Sequence, residues 1–285
     1  MTRKSLFHFA LVGLLWGIPY LLMKVAVEDF PPAAVVAGRT LIGASILIPI
    51  AIYRKKFGGA VLGFRYVAFY ALMEMIGPWI LITTAEQKID SGLAGLLVST
   101  VPIFATIITS LRGDHSVWQF KRVFGIVVGF IGLILVVGIE SLSGNSDPLS
   151  IAMVIVASMG YAYAVIMVTS NLPLVDGIAI NGLAMAITTV FWAPVAIAQW
   201  PSNISMNSAL SLIALGVFST AFAFILFFKV MAEIGPARSS LVTYLNTAIA
   251  VVLGVIILRE PLTIGIIVGL PLVLVGSYLA SRKTS

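Results

Sequence analysis

One carboxylate stands apart among the residues able to do chemistry. Glu74 lies midway along the apolar stretch 64–84, whose only other charge, Arg65, sits at its edge. Holding a charge at the middle of a bilayer costs about 2.5–3.5 kcal/mol on insertion scales, so such a group is expected to face a wet cavity or a partner. Pro78 is four residues further on and on the same helical face. It has no N–H to give to the carbonyl of Glu74, which frees a backbone acceptor at that depth. With Trp79 beside it, this makes a candidate binding group of carboxylate, carbonyl and ring. The structural alternative is an ion pair, or a protonated carboxyl bonded to a neighbouring helix.

Two basic residues are also embedded in apolar runs. Lys24 is close enough to the end of its run to snorkel to the interface. Arg39 lies deeper, about six residues or roughly 9 Å from the boundary. It can pair with Glu28, Asp29 or Glu86, couple to Glu74, or hold a substrate carboxylate. Aromatic groups supply the rest. Trp16 and Tyr20 share one helical face, and Tyr161, Tyr163, Phe224 and Tyr244, with the amide of Asn246, fall at similar depth. Such a lining takes flat or apolar side chains and attracts an ammonium to ring faces, unless the rings only fill space or face lipid. Ser99, Thr100 and Pro102 form a polar, kink-prone stretch.

Other chemistry is excluded. The chain has no Cys, and His8 and His115 stand apart from any ligand cluster, so neither a metal site nor a disulfide is expected. No phosphate-binding glycine loop, nucleophile elbow or ATP motif is present, and no cofactor is called for. An intramembrane enzyme needs a pair of converging catalytic groups, whereas the sequence offers one midplane acid.

The elements that must position these residues are membrane helices. Of the 285 residues, 60% are hydrophobic and 10% charged, too little polar surface for a soluble chain. Crossing a hydrocarbon core of about 30 Å takes roughly 20 helical residues. Apolar runs of that kind place ten spans at 6–27, 33–53, 64–84, 92–111, 123–139, 149–170, 178–199, 209–228, 239–258 and 264–281. The first begins like a signal peptide but continues to Val27 without a convincing cleavage site, so it is read as a permanent span. The net charge of +6 comes from short loops, which argues for membrane orientation rather than nucleic-acid binding. With the N-terminus inside, 13 Lys and Arg residues fall inside, 2 outside (Lys88, Arg259) and 2 within spans. Both termini are then cytoplasmic.

The halves 1–145 and 146–285 echo each other. Trp16-Gly17-Ile18-Pro19-Tyr20 finds a weak echo in Met159-Gly160-Tyr161-Ala162-Tyr163, and Ile89-Asp90-Ser91-Gly92 corresponds to Ile234-Gly235-Pro236-Ala237. Gly125, Gly129 and Gly132 match Gly265, Gly269 and Gly276. These glycines suit close helix contact, and a homodimer is a further use for them. Five spans per repeat is an odd number, so the halves insert upside down relative to each other, an architecture that transporters use to alternate between openings. The repeat is chemically lopsided: Met167, Asn181 or Gly182, and Ser219 stand near the positions of Lys24, Arg39 and Glu74. Spans one, three, four, six, eight and nine are expected to line a central cavity, with five and ten packing at the periphery.

The chain resembles the drug/metabolite transporter superfamily, specifically its EamA-type ten-span bacterial exporters. The residues that carry the resemblance are Trp16-Gly17, Arg39, the stretch from Ala85 to Pro102, Gly113-Asp114, and Leu258-Arg259-Glu260-Pro261-Leu262-Thr263. One departure is Thr247, where the second repeat commonly has a proline matching Pro102, so a symmetric kink in span nine is not expected. The resemblance implies secondary export of amino acids, related amines or drugs across the bacterial inner membrane; an importer or exchanger of the same solutes is the alternative. The partners are then a small-molecule substrate and the bilayer. The residues add that an embedded acid and aromatic rings suit a zwitterion or cation better than an anionic sugar phosphate.

Overall fold

In a chain this apolar, backbone groups are satisfied only by hydrogen bonds made within a segment, and helices follow. The computed structural model describes residues 2–113, 119–142, 147–235 and 239–281. Asp114, His115, Pro236, Ala237, Arg238, Arg282 and Lys283 lie outside the described residues. The long helices are α1 (Arg3–Ala26), α2 (Pro32–Tyr53), α3 (Phe64–Ala85), α4 (Ser91–Leu111), α5 (Phe120–Leu142), α6 (Pro148–Asn171), α7 (Gly177–Ala198), α8 (Met206–Ile234), α9 (Val242–Ile257) and α10 (Ile264–Ser281). A short helix, Phe57–Leu62, joins α2 to α3. Among the described residues, seven helices (α1–α4 and α6–α8) are long and apolar enough to cross a membrane, and Val242–Ile257 and Ile264–Leu279 are shorter apolar helices. The protein is an all-helical, multi-pass membrane protein.

Helix ends follow local chemistry. Asp147 accepts from the Ser150 N–H and hydroxyl at 2.9 and 2.7 Å, and Asp176 accepts from the Ile178 and Ala179 N–H groups. Such caps occupy donors that the first helical turn leaves free. Helix α8 runs six residues beyond the expected 228. Lys229 and Glu233 stay helical, and Glu233 meets His8 Nδ1 at 3.1 Å. The helix stops at Gly235, whose φ of +82° suits glycine. Pro102 does interrupt α4, between Val98 and Val101, whereas α9 passes Thr247 unbroken.

Packing is reciprocal between the halves. Helix α1 contacts α8 and α9, as α6 contacts α3 and α4; α2 contacts α8, as α7 contacts α3; α2 pairs with α7 and α5 with α10. In α3 and α8 the helix widens into π-turns, at Leu72–Ile76 and Leu215–Phe222, which begin 143 residues apart. In α3 the wide turn ends two residues before Pro78, whose ring would press on the carbonyl four residues back in an α-helical register.

Helices α5 and α10 meet backbone to backbone. A Cβ on Gly276 would strike the backbone of Gly129, and one on Gly132 would come within 2.8 Å of the Val273 nitrogen. Backbone cannot yield as a side-chain tip can, and lipid supplies no hydrophobic force to compensate for lost packing. Gly276→Ala is therefore expected to destabilise the protein by about 1–3 kcal/mol, as overpacking does. Thermal unfolding in detergent checks this against Gly58→Ala, whose new methyl meets nothing within 4 Å and should be neutral.

Candidate functional site

The π-turn in α3 carries Glu74. Its side chain is half-buried, and its Oε2 is buried with no hydrogen-bond partner. Helix α6 lies directly across this turn because Gly160 has no side chain; a Cβ there would come within 2.8 Å of the Met73 carbonyl and 3.0 Å of Pro78. The widened turn also leaves the Ile76 carbonyl pointing outward, where Trp192 Nε1 of α7 donates to it at 3.1 Å. Tyr70 and Tyr161 interact electrostatically with Glu74.

One turn further, Trp79 is buried and interacts with the Tyr161 side chain. On the Trp79 ring lies the Arg39 guanidinium, its carbon 3.8 Å from the centroid. Arg39 is 6% exposed, and its donors go to the Thr220 hydroxyl, from Nε at 3.2 Å and Nη2 at 3.1 Å, and to the Met23 sulfur at 3.6 Å. Gly43 and Gly216 bring α2 and α8 close enough for this; a Cβ on either would press on Thr220 or Ile42. Thr220 belongs to the second π-turn, and its neighbour Ser219 has a buried hydroxyl without a partner. The reciprocal contact exists too, with Tyr70 of α3 donating to Asn181 of α7 at 3.2 Å. Tyr20 is buried and within electrostatic reach of Arg39.

The site thus joins an acid to a base through a tyrosine and a tryptophan. No acid lies within 4.0 Å of Arg39, and no base within 4.0 Å of Glu74, among the described residues; the two ion pairs there are His8–Glu233 and Lys88–Asp147. The expected pairing of Arg39 with Glu74, Glu28, Asp29 or Glu86 is absent, and a hydroxyl, a thioether and an indole face stand in its place. A buried guanidinium with neutral partners keeps most of its attraction for an anion.

The other expected residues divide between this site and elsewhere. Trp16 is half-buried, edge-on to Phe224 at 5.6 Å and tilted on Phe227 at 4.6 Å, an aromatic cluster between α1 and α8. Asn246 abuts Gly17 of α1, and its side chain is 3.4 Å from the Thr247 hydroxyl. Tyr163 is 38% exposed and packs edge-on against Phe69, itself exposed, so it does not join Glu74. Tyr244 pairs with Tyr278 of α10. Ser99 is buried between helices, donating to Leu96 and accepting from Ser277 at 2.9 Å. Lys24 extends to the α3–α4 connection, where its ammonium binds the Glu86 and Ile89 carbonyls at 2.8 and 2.7 Å.

Comparisons with known proteins agree with this architecture. The model of the EamA-like transporter family matches residues 3–138 and 148–282. The uncharacterized transporter YoaV of Bacillus subtilis is 28% identical, over 94% of this chain and 93% of its own. The uncharacterized inner membrane transporter YedA of Escherichia coli K12 is 26% identical, over 95% and 90%. A solved crystal structure superposes with a TM-score of 0.69 at 15% identity, covering 99% of this chain and 97% of that one, a likeness of fold.

Proposed function

The chain belongs to the EamA-like transporter family, and from that premise we propose that it is a secondary exporter of a zwitterionic small molecule, an amino acid or related amine. The observation that supports this reading is the pair of unmatched charges, Glu74 and Arg39, linked by Trp79 and Tyr161. An ammonium suits the carboxyl, a carboxylate suits the guanidinium, and ring faces receive an apolar remainder. Trp16 and Phe224 extend the aromatic lining towards the end that holds His8. In this reading the ten helices all cross the inner membrane with both termini cytoplasmic, on the 13-to-2 basic asymmetry. The halves swap conformations to alternate access, and a proton taken up at Glu74 drives the substrate outward.

Counterflow in liposomes holding only this protein tests it. Amino acids with apolar or aromatic side chains should exchange with labelled solute inside. Selective exchange of phosphorylated compounds, with no response to amino acids, overturns the reading.

A further inference from the structure

A second buried carboxyl lies outside the site just described. Glu86, directly after α3, is 0% exposed, and neither of its oxygens has a hydrogen-bond partner. The charged and titratable groups facing it are Tyr20 and Lys24 of α1, Arg39 of α2 and Glu260 of the α9–α10 connection. Tyr20 makes no hydrogen bond to it, and the three charged groups are committed elsewhere. Lys24 serves the Glu86 and Ile89 main-chain carbonyls, and Arg39 serves Thr220. Glu260 accepts from the Ser91 and Gly92 N–H groups at 2.7 and 3.0 Å and from the Ser91 hydroxyl at 2.9 Å, capping α4 from another part of the chain. Room for that cap comes from Gly254, where any Cβ would strike the carboxylate.

These contacts tie one end of the molecule shut over Glu86. Asp29 accepts from the Ser205 N–H at 2.8 Å, Ser208 donates to the Val25 carbonyl at 3.1 Å, and Lys88 approaches Asp147 at 3.8 Å. Every connection taking part belongs to the same end: α1–α2, α3–α4, α7–α8 and α9–α10, with the start of α6. A neutral carboxyl left without partners costs about 1–3 kcal/mol, and an unpaired ionised one several kcal/mol more. The closed arrangement therefore discriminates between the two forms of Glu86.

We propose that Glu86 is a proton-binding site that gates this end of the protein, which closes when the carboxyl is protonated and is held open when it is ionised. The inference takes the transport reading as its setting, with this end the outer one. Closure binds the proton more tightly than the open state does. The closed state is thus favoured at low external pH and lost as pH rises, by at most about tenfold per pH unit for a single proton. An acidic exterior would load Glu86 and return the empty carrier to the inside.

Thiol labelling reads this without a substrate, so it can fail or succeed independently of the transport reading. Ile89, 1% exposed beneath the tied end, is changed to Cys in the Cys-free full-length protein. Its rate with an impermeant reagent from outside is divided by that of Ser202→Cys, an exposed position on the same end, which corrects for thiolate formation. The ratio should climb with external pH, approaching tenfold per unit, and stay low and flat with Glu86→Gln. A flat ratio with Glu86 present, or an unchanged climb with Glu86→Gln, overturns the proposal. Where Glu86→Gln does not insert, infrared spectra of Glu74→Gln decide: a protonated-carboxyl band at neutral pH supports it, and absence of the band refutes it.

Discussion

Glu74→Gln is expected to insert at normal yield and to lose concentrative, pH-dependent transport. Glutamine keeps the shape of the side chain and removes its charge. A structural ion pair to Arg39 would make the single variant unstable and let Arg39→Gln rescue it, but no base stands within 4.0 Å of Glu74 among the described residues. Removing the charge therefore strands no partner. The binding loss should correspond to one charge-assisted hydrogen bond, about 1.5–3 kcal/mol, or roughly 10- to 150-fold in Kd for an ammonium-bearing substrate. Coupling should go altogether, since glutamine takes up no proton, while exchange survives at higher substrate concentration. Uptake into vesicles under an imposed pH gradient, with substrate affinity measured across pH, separates the two losses. Unaltered pH-dependent transport by the variant would end the proposed role of Glu74.

What the sequence made legible follows from what each signal depends on. Composition and run length depend only on the bilayer, and they locate the helices to within a few residues apart from the end of α8, where charged residues remain helical. Pro102 breaks α4 because a missing N–H acts locally. The π-turns were hidden: Pro78 marks the one in α3, but Leu215–Phe222 contains no residue type that signals a wide turn. Tyr161 and Tyr163 look equivalent in sequence, yet they point to different faces of α6, and only the packing of Gly160 on Met73 decides which reaches Glu74. For Arg39 the sequence offers an acid of the protein or a substrate carboxylate, because charge invites charge. Its actual partner, Thr220, lies 181 residues away and arrives through glycine-permitted helix approach. Glu86 gave no sign of its burial, which arises from ties between separate connections.

Arg39→Leu should leave the protein as stable as before, or more so, and abolish recognition of the substrate carboxylate. The guanidinium is buried without an acid, so its removal relieves a desolvated charge, and leucine fills apolar space beside Trp79. The cost is that Thr220 loses two donors, about 1–3 kcal/mol at most if its hydroxyl finds no other partner. Truncating one side of a buried, hydrogen-bonded charge pair costs about 2–5 kcal/mol, which predicts a roughly 30- to 4,000-fold weaker affinity for an amino acid. The decarboxylated amine with the same side chain never makes that contact and should compete as well as before. The comparison is internal to one variant, so general damage cannot mimic it: misfolding would weaken amine and amino acid alike. Equal loss for both compounds, or a fall in thermal stability, would make Arg39 a structural residue. With Glu74→Gln the selectivity seen in Arg39→Leu should vanish, the amine suffering as much as the amino acid, because the ammonium is the group they share.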